Sequence, residues 1–451
     1  MSNAGVCFIL VVAGLGGLLY GIDFGIIATA SPYIKALKLF TDAQISWIVG
    51  AVLFGGILSS LSAGMLAERF GRRRMIIASA LIFLAAVPMV CLSERSFWGM
   101  AAARVLQGMS AGYMSVILPM YLTETLPPEI RGRGTGIFQT FLIFGLVAAA
   151  SVGLAVTRLV GAVDAPCDVV SDAAKSLAWK INFWWTLLPV AVLFLGSLRL
   201  PESPVWLEKG NREEGKGNRE EWKVDGDSHA SSLLQRRYVV PFLLVVAVLT
   251  LNKTTGMSSV TSWSVMIFHK AGFGGALGNA GDLAMKLANL AATVAATWLV
   301  DRVGRRALLK IGTAGMAAGL ATVGAVFLAI ERFGMAPGLA TGAVALLALL
   351  VMQAFYAIGP GICVWLVLSE LMPQRIRANG MSIALFMNQF VAWGLASSFL
   401  PWVNAWGWHS MFFFFAINGA AYFAVSLFIP ETKGKCLEEL EHLFDKKKGV
   451  D

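Results

Sequence analysis

The sequence predicts an all-α membrane protein with twelve transmembrane helices in two six-helix halves. Three observations predict this class. Of the 451 residues, 57% are hydrophobic and only 14% are charged, which is unusual for a soluble domain. The apolar residues form runs of about 20, the length that crosses a hydrocarbon core of about 30 Å. Short motifs of the first half also return in the same order in the second half, which indicates a duplication.

Twelve apolar runs follow one another along the chain. Several contain scattered glycines, which allow membrane helices to pack closely. No basic segment precedes the first run and no small-residue cleavage site follows it, so we interpret it as a membrane helix rather than a signal peptide. The tenth run is long enough to tilt or break. The runs cover residues 6–30, 45–67, 73–92, 96–122, 134–157, 178–199, 238–268, 276–300, 306–330, 337–369, 379–400 and 407–429.

Basic residues cluster in every second connection between the runs. Arg72 follows the second run, Arg131 the fourth, Arg305 the eighth and Arg377 the tenth, and the segment 200–237 is also rich in Lys and Arg. Such a bias predicts that these connections and both termini lie in the cytoplasm. We expect the membrane to be the plasma membrane. The bias also accounts for the net charge of +9, so we expect the lipid bilayer and not a nucleic acid as the partner.

The repeated motifs define the predicted domains. "AERFGRRR" (67–74) returns as "VDRVGRRA" (300–307), and "TETLPPEIRGRG" (123–134) returns as "SELMPQRIRANG" (369–380). Parallel halves with a binding site between them are a known plan of membrane transporters. We predict halves at 1–199 and 238–430, a cytoplasmic linker with short amphipathic helices at 200–237, and a cytoplasmic tail helix at 431–451.

Six motifs, in order and at matching spacing, resemble the sugar porter family of the major facilitator superfamily. They are "ERFGRRR", "RVLQG" with "PMYLTETLPPEIRGRG", "PESPVWL", "VDRVGRR", "SELMPQRIR" and "PETKGK". The resemblance implies the major facilitator fold and a carrier that works by alternating access without covalent chemistry. It implies proton-coupled symport of a sugar or sugar-like substrate as the leading function.

Charged residues at the cytoplasmic helix ends are candidates for gating. Acidic and basic side chains there can form ion pairs between helices that hold the outward-facing state, and breaking such a network can shift a two-state equilibrium. The alternative is that the arginines only set topology, which would not require the regularly placed acids. The candidates are Glu68, Arg69, Arg72, Glu124, Arg131, Asp301, Arg302, Arg305, Glu370 and Arg377.

Two ionisable residues lie deep inside apolar runs and are candidates for proton coupling. Asp23 lies in the first run and Arg104 in the fourth, and a charge at such depth is a functional hypothesis by default. The resemblance agrees, because proton-coupled members carry an acid and an arginine at these positions. The alternative is a static buried ion pair.

The resemblance also implies a substrate site of amides and aromatic rings, which suit sugar hydroxyls and C–H surfaces. Gln139, Trp365 and Asn388 match family positions, and Tyr20 matches a usual aromatic. The alternatives are packing for Trp365 and helix–helix bonding for the two amides. Further candidates are Ser258, Asn289, which lies at a position often polar in the family, and Gln389, which stands where a tryptophan is common.

The seventh run departs from the family pattern of two glutamines, a glycine and an asparagine followed by paired tyrosines. Here Asn252 and Lys253 stand before Gly256, and Ser262 and Trp263 replace the tyrosines. Gly256 can let the helix bend. Lys253 has three interpretations: a counter-ion to Asp23, a ligand for an anionic substrate group such as a sugar-acid carboxylate, or a side chain in a water-filled passage.

A second unusual cation, Lys286, lies in the eighth run. Asp282 stands four residues earlier, so a local ion pair is the expected arrangement.

Other functions remain open on the sequence alone. A facilitative uniporter would share the fold, and a carrier of a sugar acid or polyol would share the coupling pair. A non-transporting nutrient sensor is a further alternative, although such relatives typically carry a long cytosolic extension. The four histidines lie near helix ends or in loops and form no nucleophile–base set or metal cluster. We therefore expect no enzymatic activity, no cofactor and no metal, and a monomer whose partners are its substrate and H+.

Overall fold

The chain is almost entirely helical in a computed structural model that describes residues 3–161, 170–208, 236–371 and 377–430. Twelve stretches within them are long and apolar enough to cross a membrane. The predicted all-α membrane class with twelve spans is therefore confirmed. Most of the predicted linker, at 209–235, and the predicted tail helix, at 431–451, lie outside the described residues.

Fifteen longer helices and a short helical turn at 204–208 occupy the described ranges. The sixth, seventh and tenth spans each consist of two helices. The helices are α1 (Asn3–Ala36), α2 (Asp42–Phe70), α3 (Arg72–Leu92), α4 (Phe97–Thr125), α5 (Pro128–Leu159), α6 (Asp172–Trp184), α7 (Leu187–Ser197), α8 (Arg236–Thr254), α9 (Met257–Ala271), α10 (Gly275–Val303), α11 (Arg305–Arg332), α12 (Leu339–Ile358), α13 (Pro360–Leu371), α14 (Arg377–Trp406) and α15 (Trp408–Ser426).

The sixth span differs from the prediction in start and continuity. It begins at Asp172 rather than at residue 178, because the Ser171 side chain caps the helix by accepting from the Ala174 N–H at 3.3 Å. It is also interrupted between α6 and α7. Pro189 explains the break, since a proline has no N–H for the carbonyl four residues earlier, that of Trp185, and its ring crowds that carbonyl.

The tenth span breaks where α12 meets α13, as its length allowed. The break falls at Gly359, directly before Pro360. The residue before a proline is driven away from helical dihedrals, so this pair ends α12 and lets a new helix begin.

The duplication is visible in backbone geometry and side-chain contacts. Gly71 and Gly304 adopt nearly the same conformation, with φ/ψ of 93°/156° and 96°/156°. Arg73 donates to the Leu198 carbonyl at 2.6 Å, and Arg306 donates to the Leu427 carbonyl at 2.8 Å. Equivalent motifs in the two halves therefore build the same turn between consecutive helices and tie it to the last helix of each half.

The two halves meet along helices α2 and α14, α5 and α10, and α1 and α9. The contact between α2 and α14 starts at the membrane face that carries Asp42, called here the Asp42 face. There Asn404 Nδ2 donates to Asp42 Oδ2 at 2.6 Å, and the Leu400 N–H donates to Ser46 Oγ at 3.1 Å. Deeper in, Leu53 packs with small residues of α14.

The halves separate toward the opposite face, called here the Arg72 face. On α2 a side chain added at Gly64 would meet nothing within 4 Å, and Met65 is 69% exposed. On α5 a side chain at Gly136 would likewise meet nothing within 4 Å. Among the described residues, the contacts between the halves therefore lie toward the Asp42 face, while Gly64, Met65 and Gly136 have free space beside them toward the Arg72 face.

Candidate functional site

Asp23 and Arg104 form a buried ion pair between α1 and α4. Arg104 Nη1 lies 3.0 Å from Asp23 Oδ1, and each side chain is 1% exposed. The same nitrogen donates to Gln107 Oε1 at 2.9 Å, and the guanidinium lies 5.5 Å from the ring centre of Phe183. The arginine is thus held by a carboxylate, an amide and an aromatic face. The fold thus brings together two residues 81 positions apart, as both the coupling hypothesis and the static ion pair require.

The second carboxylate oxygen of Asp23, Oδ2, differs from the oxygen that binds Arg104. Asp23 Oδ2 is buried and makes no hydrogen bond with any residue that the structure describes. A buried oxygen of this kind normally finds a partner, and without one Asp23 Oδ2 remains available to take up a proton. The geometry therefore suits an acid that gains and loses a proton while Arg104 stays in place.

A small cavity adjoins Asp23 and brings two predicted substrate residues to it. Its volume is about 10 Å³, room for roughly one water molecule and too little for a sugar. Tyr20 and Gln389 lie in its wall, so α14 of the second half reaches α1. The remaining wall residues are Phe24, Val52, Leu53, Gly56, Gly108, Ala111 and Gly112.

Helix α1, which carries Asp23, approaches α5 closely because of a glycine. An added Cβ at Gly21 would overlap the carbonyl oxygen of Leu142 on α5. Because the side chain of glycine is only a hydrogen atom, the backbones of α1 and α5 come into contact here, as small residues permit in membrane helices. This packing fixes the depth and rotation of α1, and hence the direction of Asp23.

The seventh span is broken at Gly256, between α8 and α9. Gly256 has φ of 74°, a left-handed conformation that glycine adopts readily, and an added Cβ would collide with the ring of Phe415. Lys253 lies in the last turn of α8 and Ser258 in the first turn of α9. Lys253 Nζ contacts Ser258 Oγ at 3.3 Å, so the lysine bridges the break.

In this conformation Lys253 is not the counter-ion of Asp23. The carboxylate of Asp23 pairs with Arg104, and no carboxylate of the described residues lies within 4 Å of the Lys253 ammonium. The other two interpretations of Lys253 are compatible with this geometry.

The other predicted substrate residues take different positions. Asn388 is 2% exposed and its Nδ2 donates to the Leu249 carbonyl of α8 at 2.9 Å, which is the helix–helix bonding considered as its alternative. Asn252 is also buried, Asn289 is half-buried and Gln139 is exposed. The side chain of Trp365 lies outside the described part of the molecule.

Lys286 and Asp282 form the predicted local ion pair on α10. Lys286 Nζ lies 2.7 Å from Asp282 Oδ2, and the side chains are 2% and 0% exposed. Asp282 Oδ1 accepts from Ser264 Oγ on α9 at 2.5 Å. Lys286 also reaches the other half, where its Nζ lies 3.4 Å from the Gly25 carbonyl of α1.

The predicted gating residues of the first half form a network at the Arg72 face. Arg72 binds Glu124 through two nitrogens, Nη2 to Oε1 at 2.8 Å and Nε to Oε2 at 2.9 Å. Glu202 accepts from the backbone N–H groups of Arg72 and Arg73 at 2.9 and 3.0 Å. Ser203 donates to Glu124. These bonds join α3 and α4 to the segment after α7, all within one half.

The remaining gating candidates are less fully described. Glu68 accepts from Trp206 Nε1 through its backbone carbonyl at 2.7 Å, and Arg69 lies over the ring of Phe70. Arg305 Nη1 donates to the Val300 carbonyl at 3.4 Å, and Arg302 also has an interaction partner. The side chains of Arg131, Asp301, Glu370 and Arg377 lie outside the described part of the chain.

Several site residues were not predicted from the sequence. Gln107 follows Arg104 by three positions and so shares its helix face, a spacing that could have identified it. Glu202 and Ser203 belong to the quoted "PESP" motif. Phe183 and Ser264 have no such signal, because their contacts depend on how separate helices are rotated. Among the residues described, no group of three His, Cys, Asp or Glu side chains could hold a metal ion.

The sequence is similar to known sugar transporters. The model of the family described as "Sugar (and other) transporter" matches residues 9–444. The chain is 28% identical to the arabinose-proton symporter of Bacillus subtilis, over 98% of this chain and 95% of that protein. It is 27% identical to the D-xylose transporter of Levilactobacillus brevis, over 100% of this chain and 98% of that protein.

The fold resembles a solved transporter structure. The inward open conformation of the xylose transporter XylE from E. coli superposes with a TM-score of 0.76 at 24% identity, covering 96% of this chain and 99% of that one. An identity this low supports the likeness of the fold alone. The predicted major facilitator fold is confirmed.

Proposed function

Because the chain belongs to the sugar transporter family of the major facilitator superfamily, we propose that it couples the uptake of a sugar or sugar-like substrate to protons. The single observation that supports coupling is the Asp23–Arg104 pair, buried in the membrane interior with one carboxylate oxygen unpartnered. The arabinose-proton symporter among its relatives supports the same proposal.

Coupling works in this proposal through the charge on Asp23. Ionised Asp23 holds Arg104, and a proton on Asp23 weakens that attraction. A protein with two conformations responds to any event that stabilises one of them more than the other. Proton binding at Asp23 and substrate binding beside it therefore act on the same rocking equilibrium, and the candidate substrate residues Tyr20 and Gln389 line the same small cavity as Asp23.

The orientation is part of the proposal. The Arg72 face, with its basic connections, lies in the cytoplasm, and the Asp42 face lies outside. In that orientation the structure is inward-facing, since the halves touch at the Asp42 face and part toward the Arg72 face.

The decisive experiment compares driven and passive transport by Asp23→Asn in proteoliposomes. The variant is expected to lose accumulation against a gradient but to keep counterflow exchange, because exchange requires no net proton movement. Asp172→Asn is the matched control, since Asp172 is 82% exposed at the start of α6 and its change should leave both activities intact. Accumulation that survives in Asp23→Asn would remove Asp23 as the coupling acid.

A second candidate substrate class, a sugar acid, is favoured by Lys253. Its ammonium is paired with a neutral hydroxyl rather than a carboxylate in the described structure. It lies beside the start of α9, whose N-cap Gly256 supplies no side-chain acceptor to the free backbone N–H groups. An ammonium and a helix N-terminus both attract anions.

Uptake of neutral sugars and uronates by Lys253→Gln tests this candidate. A sugar-acid carrier should lose affinity for uronates by about tenfold or more, the value of a charge-assisted hydrogen bond, and Lys253→Arg should retain it. Unchanged selectivity in Lys253→Gln would leave a neutral sugar or polyol as the substrate.

A further inference from the structure

Helix α10 carries a polar stripe that faces the first half of the protein. Asn279, Asp282, Lys286 and Asn289 follow at spacings of three, four and three residues, which places them on one side of the helix. Asn279 Nδ2 donates to Thr157 Oγ1 on α5 at 3.0 Å. Lys286 Nζ donates to the Gly25 carbonyl on α1 at 3.4 Å. The stripe therefore crosses the boundary between the halves at two levels.

The ammonium of Lys286 is held in a defined direction. Asp282 Oδ2 binds it at 2.7 Å, and Asp282 is itself fixed by Ser264 Oγ of α9. Two residues of the second half thus aim the lysine at a backbone carbonyl of the first half. The carbonyl belongs to Gly25, two positions after Asp23 on the same helix.

The depth of this contact in the membrane follows from its position along both helices. Gly25 lies eleven residues before the end of α1 at that face, and Lys286 lies eleven residues after the start of α10. Eleven residues correspond to about 16 Å of helix, so the contact is near the middle of the membrane. Along α1 it is on the Asp42 side of Asp23 and of the small cavity.

Stability alone does not account for two buried charges at this depth. Apolar residues of similar size usually stabilise a protein interior at least as well as a buried ion pair. Ionisable residues within membrane spans normally mark a functional pathway. The contact between Lys286 and Gly25 also joins elements that must separate when the halves rock.

We propose that Lys286 is the closing residue of a gate on the Asp42 face of the substrate path, with Asp282 and Ser264 as its positioning residues. When the gate is closed, the ammonium binds the Gly25 carbonyl and ties α10 to α1. When the halves part at the Asp42 face, that bond breaks while the ion pair with Asp282 stays within one helix. This assignment rests on the proposed alternating-access function.

Distances between spin labels at the Asp42 face test the gate directly. Leu39→Cys and Met335→Cys place labels on exposed residues of the two halves at this face, in a background without native cysteines. In Asp282→Asn/Lys286→Met, which leaves no orphan charge, the ratio of open to closed populations should rise about tenfold or more. Lys286→Arg keeps a cationic donor and should restore the closed population.

A charge swap distinguishes the effect of the bond between Lys286 and Gly25 from the effect of the ion pair itself. Asp282→Lys/Lys286→Asp keeps an i, i+4 pair on α10 but places a carboxylate opposite the Gly25 carbonyl, so it too should favour the open state. Lys175→Met is the matched control, because Lys175 pairs with Asp172 on its own helix, α6, and should leave the distances unchanged.

Unchanged distances in both the neutral double variant and the charge swap would overturn the gate. The distance measurement requires neither substrate nor a proton gradient. Its result therefore does not depend on the accumulation assay. A gate proposal that fails can be distinguished from a symport proposal that fails.

Discussion

Two ion pairs in the membrane interior of the described structure are alike in exposure and opposite in construction. Asp23 and Arg104 come from separate helices of the first half, while Asp282 and Lys286 lie one turn apart on one helix of the second half. Asp23 keeps one oxygen without a partner and borders a cavity. Both oxygens of Asp282 are bonded, and its cation reaches across to the other half.

This difference separates two kinds of work that a buried charge can do. An unsatisfied carboxylate oxygen beside a water-sized space is suited to taking up and releasing a proton. A carboxylate with both oxygens bonded is suited to holding a neighbour in place. In our proposals a buried pair of an aspartate and a cation therefore serves proton coupling in one half and mechanical closure in the other, because the hydrogen-bond partners of the two aspartates differ.

The largest expected effect comes from removing one cation. Arg104→Met and Lys286→Met each leave a buried carboxylate unpaired and should lower the free energy of unfolding by about 3–5 kcal/mol. Lys286→Met should cost more, because Asp23 can gain water from its cavity. Chemical unfolding in micelles measures both. The doubly neutral variants Asp23→Asn/Arg104→Met and Asp282→Asn/Lys286→Met should recover most of the loss; equal losses in single and double variants would contradict the prediction.

A smaller effect is expected from Ser264→Ala, which acts only on the second pair. The change leaves Asp282 Oδ1 without its partner and should lower the free energy of unfolding by about 1–3 kcal/mol. Ser151→Ala is the control, since Ser151 is exposed on α5 and bonds the Val147 carbonyl of its own helix. A similar value for both serines would show that Asp282 does not depend on Ser264.

The aromatic face beside the first pair gives a comparable test there. Phe183→Leu removes the ring below the Arg104 guanidinium, a contact of about 0.5–2 kcal/mol. A double-mutant cycle with Arg104→Met and Phe183→Leu isolates it from the loss of packing. Coupling near zero in that cycle would mean that the ring only fills space.

The smallest effect is expected at a third pair that water reaches. Glu94 Oε2 lies 2.5 Å from Lys180 Nζ, with side chains 24% and 28% exposed. Partial burial alone would raise the pKa of the Glu94 carboxyl, but hydrogen bonds and the charge of Lys180 outweigh it, so the pKa lies below its ordinary value. Glu94→Gln should cost about 0.2–1 kcal/mol.

The pH dependence of this third pair follows from the lowered pKa. Its contribution is fully present above the unfolded-state pKa of glutamate, about 4.3, and is lost as the pH falls through the lower folded-state value. Unfolding of wild type and Glu94→Gln should therefore differ at neutral pH and converge in acid. A difference that persists unchanged in strong acid would contradict the assignment.

The sequence predicts most of the fold and part of the site, for different reasons. The twelve spans follow from run length, and the Lys286–Asp282 pair follows from helical spacing alone. The approach of Asp23 to Arg104 followed from the depth of both charges and from the family resemblance. The spacing of residues along the sequence could not predict how each helix is rotated about its axis. The bond from Asn388 to Leu249 and the contact of Ser264 with Asp282 depend on that rotation.

The break in the seventh span also shows that the sequence does not predict which side chains meet. Gly256 indicated a bend, but not that the bend would bring Lys253 to Ser258. Likewise Pro189 was visible in the sixth run, yet the run was predicted as continuous from 178. The consequence of a proline in a membrane helix depends on whether neighbours satisfy the freed carbonyl, which the sequence does not record.

The closed seam at the Asp42 face has a consequence for turnover. Across it the described side chains make four hydrogen bonds, from Asn404 to Asp42, from the Leu400 N–H to Ser46, from Asn279 to Thr157 and from Lys286 to the Gly25 carbonyl. Each contributes about 0.5–1.5 kcal/mol net, somewhat more where a charge takes part, so these four hydrogen bonds together oppose parting of the seam by only several kcal/mol. Collective domain motions occur in microseconds to milliseconds. A seam held by so few hydrogen bonds is therefore suited to parting and re-forming repeatedly, as the proposed alternating access requires.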